Sequence, residues 1–326
     1  MWRNWAVRLA ATYFLAILVL TAVVWLAADE WWPATLFAFG PRWLAVLPLT
    51  ILIPLAIAAR SVRAGVLLLV AVVAAAGPLL GGRIAVPTFG RGTDEGYALR
   101  VMSWNTAGAA PGNSAFQRYV ATVRPDLILL QESAVLAAAD IPPGWSVVGD
   151  RGGVVTLSRM PAEPAGRLTE ADLGAPGGCA RSLVQTPIGP VVVVNVHLPT
   201  PRPGIEAVLH HRLGGVAALK DITKIRSRAL TVVAEWVGPP TDGAVVGGDF
   251  NTPVESVVFR RDWGGYGNAF SAAGIGWGGT KLTGWHAIRI DHILYAPPWA
   301  CRWVAIGTPM GSDHRPVVAD IVYGAH

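Results

Sequence analysis

Long uncharged apolar runs fill the N-terminal part of the chain, and short apolar runs replace them afterwards. Three runs contain no charged residue, at 9–28, 43–59 and 64–80. A transmembrane helix needs about 20 mainly apolar residues, and about 17 are enough in short cases. The pattern therefore predicts a bundle of about three transmembrane helices near these positions, within an anchor that covers residues 1–82.

A cleaved signal peptide is the alternative for the first run. The apolar core of a signal peptide has about 7–15 residues, whereas the run at 9–28 is longer and is followed by further apolar segments. Pro48 and Pro54 interrupt the second run, but membrane helices tolerate proline. We therefore favour a retained multi-pass anchor.

Basic residues at the ends of these runs predict the orientation of the anchor. Arg3 and Arg8 precede the first run, and Arg60 and Arg63 separate the second from the third. The positive-inside rule places such residues in the cytoplasm, although Arg42 in the first loop weakens the bias. Three crossings of the plasma membrane then leave the rest of the chain on the extracytoplasmic face.

Beyond the anchor the pattern is that of a strand-rich domain. Residues 83–97 mix Gly, Pro and charge and predict a linker. Short apolar runs separated by Gly/Pro-rich turns predict strands at 98–104, 126–131, 153–157, 191–198, 244–247, 290–295 and 317–322. Helical periodicity occurs at 114–123 and 205–236. This order predicts a two-sheet α/β or α+β layered domain over residues 98–326.

Polar side chains at the strand ends are the clearest functional pattern in the sequence. Alone, each has a structural explanation, such as a turn cap or a solvated strand end. Together they matter, because strand ends of a sheet layer converge on one rim, where ligand sites are built. The set comprises Asn105, Glu132, Asn195, His197, Asp249, Asn251, Asp291, Asp313 and His314.

The chemistry of this set is that of phosphoester hydrolysis. Carboxylates and carboxamide oxygens are hard ligands that suit Mg²⁺ or Mn²⁺, and two cysteines are too few for a structural zinc site. Asp291 can orient His314 as a general base, and His197 can donate a proton to developing charge. A divalent ion, a base that activates water, and amide donors are the components that such hydrolysis needs.

The order of these motifs resembles the endonuclease/exonuclease/phosphatase superfamily. The chain carries WN, QE, NxHL, GDFN, IDHIL and SDHRP between residues 98 and 322. The resemblance implies a four-layer α/β/β/α sandwich, preceded here by the transmembrane helices. It also implies a Mg²⁺ cofactor, with Mn²⁺ as the other possibility, and a metal-dependent phosphoric ester hydrolase.

Roles follow from the resemblance residue by residue. Glu132 resembles the principal metal ligand, with Asn105 beside it and Asp313 as a further carboxylate on the metal side. His314, held by Asp291, resembles the general base of the family.

The remaining site residues are implied to face the phosphate. Asp249 and Asn251 resemble the catalytic pair that positions the phosphate and the nucleophilic water. His197 resembles a second catalytic histidine that also binds substrate, and Asn195 is expected to bind substrate beside it. Abasic-site endonucleases carry an acid where Ala107 stands and lack a histidine at position 197, so the pattern argues against that branch.

The anchor is the main clue to the substrate. A site held near the outer membrane surface meets lipid headgroups and lipid-linked phosphates at high effective concentration, and membrane-tethered bacterial members of the superfamily look similar in architecture. We therefore expect a lipid-linked phosphate or phospholipid as substrate and the membrane as a partner. The sequence indicates no protein partner.

Two other functions remain open at this point. An anchored extracytoplasmic nuclease would use nucleic acid as its partner, through a basic track at Arg202, His210, His211, Arg212, Lys220, Lys224, Arg226 and Arg228. Few aromatic residues interleave with this track, so stacking on bases is poorly supported. A catalytically inactive binding protein would have lost motif residues, and none is missing.

Overall fold

The computed structural model describes residues 2–85, 96–109, 114–134, 136, 140–241 and 243–324. The chain divides into two compact units: Met1–Arg83 with Glu255–Val257, and Ile84–Val254 with Val258–His326. Residues 86–95 of the predicted linker lie outside the described residues.

The first unit is helical. Its helices are α1 (Trp2–Ala27), α2 (Trp32–Phe39), α3 (Leu49–Ala58) and α4 (Val62–Ala74), with a 3₁₀ turn at Arg42–Val46 and a π-helical turn at Ala75–Leu79. Among the described residues, Trp2–Ala27 and Val62–Leu79 are long and apolar enough to cross a membrane. The count rises to three if the bent pair Trp32–Phe39 and Arg42–Ala58 is one span.

The second predicted span differs from the structure. Helix formation begins earlier than residue 43, at Trp32, and the two halves of the pair meet at an angle of 90°. Gly40 is extended at the break, and Pro41 follows it. Proline has no N–H for a helical hydrogen bond and disfavours helical geometry in the residue before it, so the helix ends there.

The second unit contains two six-stranded sheets. Its strands are β1 (Ala98–Asn105), β2 (Leu127–Gln131), β3 (Ser146–Arg151), β4 (Val154–Ser158), β5 (Ala162–Leu168), β6 (Gly178–Thr186), β7 (Gly189–His197), β8 (Val245–Asp249), β9 (Gly267–Asn268), β10 (Lys281–Leu282), β11 (Ala287–Ile288), β12 (Asp291–Tyr295), β13 (Trp299–Ile306) and β14 (Val317–Tyr323). One sheet has the order β13-β14-β1-β2-β4-β3 and the other β5-β6-β7-β8-β12-β9, while β10 and β11 form a separate hairpin. All seven predicted strands are confirmed.

Helices of the second unit connect the strands and cover the sheets. They are α5 (Ser114–Val123), α6 (Glu170–Leu173), α7 (Arg202–His211), α8 (Val216–Val237), α9 (Val257–Trp263) and α10 (Ala269–Ala273). The single helix predicted at 205–236 is therefore two helices with a 3₁₀ turn at Arg212–Gly215. Gly215 lets α7 fold back at this turn, because a Cβ there would lie 2.1 Å from the Ala207 carbonyl oxygen.

Alternation along the strands produces four layers. Leu99 and Val101 of β1 pack between the two sheets, whereas Met102 and Trp104 of the same strand pack outward with Phe116 of α5. The second sheet repeats this arrangement, with its outer face buried against α8. Buried faces on both sides of each sheet define the α/β/β/α sandwich that the sequence predicted.

Candidate active site

Strand directions bring the predicted site residues to one end of the sandwich. Strand β1 is parallel to β2, and β7 is parallel to β8, so the ends of these four strands lie on the same rim. Strands β12 and β14 run antiparallel to β8 and β1, so their first residues reach that rim too. In register, Asp249 is paired with both His197 and Asp291.

The two glycines before Asp249 allow β8 to approach its neighbours. A Cβ at Gly247 would lie 2.6 Å from Leu129 of the facing sheet, and one at Gly248 would lie 1.9 Å from the Val196 carbonyl oxygen. Gly248 also has a φ of +153°, which side-chain-bearing residues rarely adopt. The Gly-Gly pair thus places Asp249 deep in the rim, with its side chain 1% exposed.

Asn105 joins two carboxylates from the two sheets. Its amide nitrogen donates to Glu132 Oε1 and to Asp249 Oδ2, both at 2.9 Å, and its Oδ1 accepts from the main-chain N–H of Ala107. His197 Nε2 lies 3.4 Å from Glu132 Oε1. In this conformation Asn105 holds the carboxylates by its nitrogen and does not present its oxygen to them.

Two overlapping groups of side chains could hold a metal ion. Glu132, His197 and Asp249 form one, and Asp249, Asp291 and His314 form the other, each with its ligand atoms within 4.8 Å of one another. The first group lies on the solvent side of the site, because Glu132 is exposed. Two carboxylates with one imidazole fit a divalent cation that prefers oxygen ligands. The residues present therefore suit the metal that the family implies.

Two residues of the rim have a strained backbone. Glu132 and Asn251 have φ values of +50° and +48°, in the left-handed region that few non-glycine residues occupy. Such conformations cost about 1–3 kcal/mol each and persist where the surroundings enforce them. Both residues directly follow or flank strand ends that point into the site, so the strain belongs to the positioning of their side chains.

Asp291 and His314 form a buried dyad. His314 Nδ1 lies 2.9 Å from Asp291 Oδ2, and the side chains are 3% and 1% exposed. The other ring nitrogen, Nε2, is directed toward Asp249 Oδ2 at 3.8 Å. Burial lowers the pKa of His314, but the charges of Asp291 and Asp249 outweigh it and raise the pKa to about 9.

The remaining ionisable groups of the rim are also perturbed. A hydrogen bond from His197 and another from Asn105 lower the pKa of Glu132 to about 2, against the effect of burial. Burial lowers the pKa of His197, but its contacts with Glu132 and Asp249 produce a net rise. Burial and the nearby Asp291 charge raise the pKa of Asp249. Groups whose pKa values are pushed apart in this way are typical of catalytic sites.

Asn251 lies in the site, whereas Asn195 does not reach it. The main-chain N–H of Asn251 donates to Asp249 Oδ1 at 2.8 Å, and its side chain donates to Leu198 O. Asn195 is fully buried between the sheets. It donates to the carbonyls of Leu130 and Val155 and accepts from Gln131. Its expected contact with substrate is replaced by a role in joining the two sheets.

Asp313 lies beside the site and outside both candidate metal groups. Its side chain is 48% exposed and forms an ion pair with Lys281, and its Oδ1 is 3.9 Å from His314 Nε2. The structure therefore directs Asp313 toward Lys281 and not toward Glu132. Sequence reasoning missed Lys281, which comes from a Gly-rich segment without a recognisable motif.

Arg226 is a second residue whose position was not expected. It was a candidate for a basic surface track, yet it is 2% exposed. From α8 its guanidinium donates to the carbonyls of Pro199 and Asn251 and to Thr252 Oγ1. These groups lie in the loops that follow β7 and β8, so Arg226 fixes the segments just beyond His197 and Asp249.

We expect Arg226→Met to lower the free energy of unfolding by about 3 kcal/mol. It leaves buried carbonyl oxygens without their charged donor, and each bond to a charged group contributes about 1.5–3 kcal/mol. Thermal and denaturant unfolding of the full chain measures the loss. Arg228→Met is the matched control, because Arg228 is exposed two residues further along the same helix. Equal stabilities of the two variants would contradict the role of Arg226.

Comparison with known proteins gives a consistent family. Residues 102–314, more than half of the chain, match the profile of the Endonuclease/Exonuclease/phosphatase family. No curated protein is significantly similar to the chain in sequence.

Solved structures share the fold at low sequence identity. A humanized D. rerio TDP2 is 16% identical over 69% of this chain and 98% of its own, with a TM-score of 0.51. A mannosyl-6-phosphatase of Bacteroides thetaiotaomicron is 18% identical over 69% and 100%, and the human Nocturnin catalytic domain 15% identical over 69% and 94%, both with a TM-score of 0.50. With its sandwich and its motif order, the chain belongs to the endonuclease/exonuclease/phosphatase family, whose members hydrolyse phosphate esters.

Proposed function

We propose that this protein is a membrane-anchored, Mg²⁺-dependent phosphoesterase that hydrolyses a phosphate ester or pyrophosphate of a lipid-linked substrate on the extracytoplasmic face. One observation carries the catalytic part of the proposal. Asp249 is shared between the Glu132–His197–Asp249 group and the Asp291–His314 dyad. A cation held by the first group would therefore share one carboxylate with the histidine base of the dyad.

The side chains of the site have separate roles in hydrolysis. Glu132, Asp249 and His197 would hold the divalent cation, which supplies charge neutralisation to a phosphoryl group when bound. His314 Nε2 accepts the proton of the attacking water as the water oxygen bonds to phosphorus and the bond from phosphorus to the leaving oxygen breaks, and the leaving oxygen takes a proton from solvent. Asp291 fixes the ring through Nδ1 and stabilises the imidazolium that forms. Asp249 and Asn251 lie where they can orient that water and the phosphate.

The lipid-linked substrate is supported by the apolar helices of the first unit. Two or three of them are able to cross a membrane by length and composition. An active site tethered in this way meets membrane-bound phosphates at a far higher effective concentration than soluble ones.

The nuclease alternative has less support from the basic track. Arg226 of its basic track is buried, and Arg202 and Lys224 lie beside Glu206 and Asp221.

The direct test uses the full chain in detergent with a polyprenyl pyrophosphate. We expect phosphate release in Mg²⁺ and none after chelation, because the cation would neutralise the charge of the phosphoryl group beside Glu132 and Asp249. Phospholipid cleavage and plasmid nicking are measured in parallel. Nicking without any release from lipid-linked phosphates would replace this proposal with the nuclease.

The orientation is testable separately, because it depends on the number of crossings. Three crossings put the two chain ends on opposite sides of the membrane, and two put them on the same side. With Arg3 and Arg8 in the cytoplasm, we expect a C-terminal alkaline phosphatase fusion to be active and a C-terminal fluorescent protein fusion to be dark. The reverse result would mean that the bent pair at Trp32–Ala58 does not span, and would contradict the extracytoplasmic location.

A further inference from the structure

A groove of about 710 Å³ lies at the edge of the sandwich, beside the candidate active site. It runs between the β3–β4 hairpin of one sheet and strands β5 and β6 of the other. Its wall is predominantly apolar, with Val148, Val154, Pro164, Leu168 and Ala171 among the lining residues. Sites for small organic ligands have volumes of about 300–1,000 Å³ and mainly apolar walls, so the groove has the size and character of one.

Glycines make up much of the lining of this groove. Five of them line it, at Gly149, Gly152, Gly166, Gly177 and Gly178. Beyond the positions of Cβ atoms at Gly149 and Gly152 there is open space within 4 Å. Gly166 follows a register shift between β5 and β6, which bends the edge strand where it borders the groove.

One end of the groove lies next to Glu132 and His197 of the candidate active site. Gly178 is paired with His197 between β6 and β7, and a Cβ at Gly177 would lie 2.6 Å from the His197 carbonyl oxygen. On the other wall, Gly152 precedes Gly153, whose Cβ position is 3.7 Å from the Glu132 Cα. A phosphate held at Glu132 and His197 therefore has this groove next to it.

Of the charged side chains that line the groove, Arg167 and Glu170 are exposed, and the other polar groups are already bonded or stacked in part. The Thr169 hydroxyl already bonds to Asp172, and the guanidinium of Arg181 stacks over Trp236 at 4.2 Å and donates to its carbonyl. The floor includes the buried Cys179. The apolar part of the wall can cover a hydrocarbon, which gives up no hydrogen bonds when it leaves water.

We propose that this groove holds the hydrocarbon chain attached to the scissile phosphate, as an acyl or isoprenyl tail. The proposal deepens the proposed function, because it assigns the apolar part of a lipid-linked substrate to named residues of the same site. It also accounts for the glycines at the β3–β4 and β5–β6 connections next to Glu132 and His197.

The test is binding of non-hydrolysable alkylphosphonates to the full chain in nanodiscs, with Mg²⁺ present. Methyl-, butyl- and hexylphosphonate extend the chain stepwise, and prenyl and geranyl phosphonates distinguish a branched tail from a straight one. Each methylene that becomes fully buried is expected to lower Kd about fourfold, which corresponds to about 0.8 kcal/mol. Isothermal titration measures the series.

Ala171→Trp is the variant that narrows the groove. Ala171 is exposed on α6, so the larger side chain can be added without disturbing the core. We expect it to abolish the gain with chain length and to leave methylphosphonate binding unchanged. Ala217→Trp, at an exposed position near the start of α8, is the control. Any partition of the ligands into the bilayer is the same for both variants.

Two outcomes are distinguishable. Kd values that do not fall with chain length, or that respond equally to both tryptophan variants, would overturn the groove proposal even if the enzyme cleaves phosphate esters. Chain-length-dependent binding that Ala171→Trp removes would support the groove even if no ester is hydrolysed, and in that case only the proposed catalytic function fails.

Discussion

His314→Ala is expected to lower kcat on a phosphate ester by about 10²–10⁴-fold, which is the usual contribution of a positioned general base. The ring is almost fully buried, Asp291 holds its Nδ1 at 2.9 Å, and its Nε2 is turned toward Asp249. No other described histidine has this arrangement, so little can replace the lost base. The measurement is steady-state hydrolysis of a water-soluble ester at saturating Mg²⁺.

The pH dependence of kcat tests whether His314 acts as a base. A base must be deprotonated, and in the absence of metal the pKa of His314 is raised to about 9. A cation that offsets the charge of Asp249 lowers that pKa, because the Asp249 charge is one of its causes. We therefore expect kcat to rise with pH along a limb whose midpoint lies below 9, and this limb should disappear in His314→Ala.

Two companion variants separate catalysis from folding. Asp291→Asn keeps the shape of the dyad but removes the negative charge that stabilises the imidazolium, and its amide can donate to Nδ1 and favour the wrong tautomer, so it should lose a comparable factor in kcat. His210→Ala removes an exposed imidazole of α7 and should leave kcat unchanged. A loss of less than about threefold in both dyad variants, with folding intact, would exclude His314 as the base.

Strand alternation made most of this site predictable. Alternate residues of a strand share a face, and in several of these strands the polar residue at the end continues the inward-facing series. Asn105 thus follows Leu99 and Val101, and Asp249 follows Val245. Because parallel and antiparallel partners bring those ends to one rim, the motif residues could be grouped before their contacts were known.

The same periodicity could not fix the depth of a side chain along the strand. Asn195 shares its face with His197 but lies two residues earlier, which is about 7 Å further into the sandwich. At that depth the facing sheet supplies Leu130, Val155 and Gln131 as partners. The face was predictable from the pattern, whereas the distance from the facing sheet was not.

Other differences between the sequence predictions and the structure come from long-range contacts and from segments without a clear hydrophobic pattern. Asp313 meets Lys281 through a contact between segments 32 residues apart, and adjacent residues in extended chain point in opposite directions, so it does not follow His314 inward. Strand β5 was missed because most of its residues are exposed and show no alternation. The break between α7 and α8 occurs at Gly214-Gly215, a local signal against helix that the apolar periodicity of 205–236 outweighed in the prediction, and Gly215 is closely packed.

Glu132→Gln is expected to remove the stabilisation of the folded chain by Mg²⁺. A ligand that binds only the folded state adds about 2.7 kcal/mol to its stability at 100 times its Kd. Glu132 supplies the carboxylate of the exposed metal group and is charged at neutral pH, because its pKa is lowered to about 2. An amide oxygen has the same shape without the charge, so affinity for the cation should fall steeply.

Thermal unfolding of the full chain with and without Mg²⁺ measures this effect without any knowledge of the substrate. Glu206→Gln is the matched control, since the Glu206 side chain is 48% exposed and that of Glu132 is 44% exposed. The control should keep the full increase in Tm with Mg²⁺, and Glu132→Gln should show almost none. If both variants respond like the unmodified protein, the cation is not held by Glu132. If neither the unmodified protein nor the control responds, the acidic rim does not bind Mg²⁺ in the absence of substrate. A rise in Tm with Mg²⁺ in Glu206→Gln but not in Glu132→Gln would show that Glu132, the motif residue with the strained backbone, holds the metal.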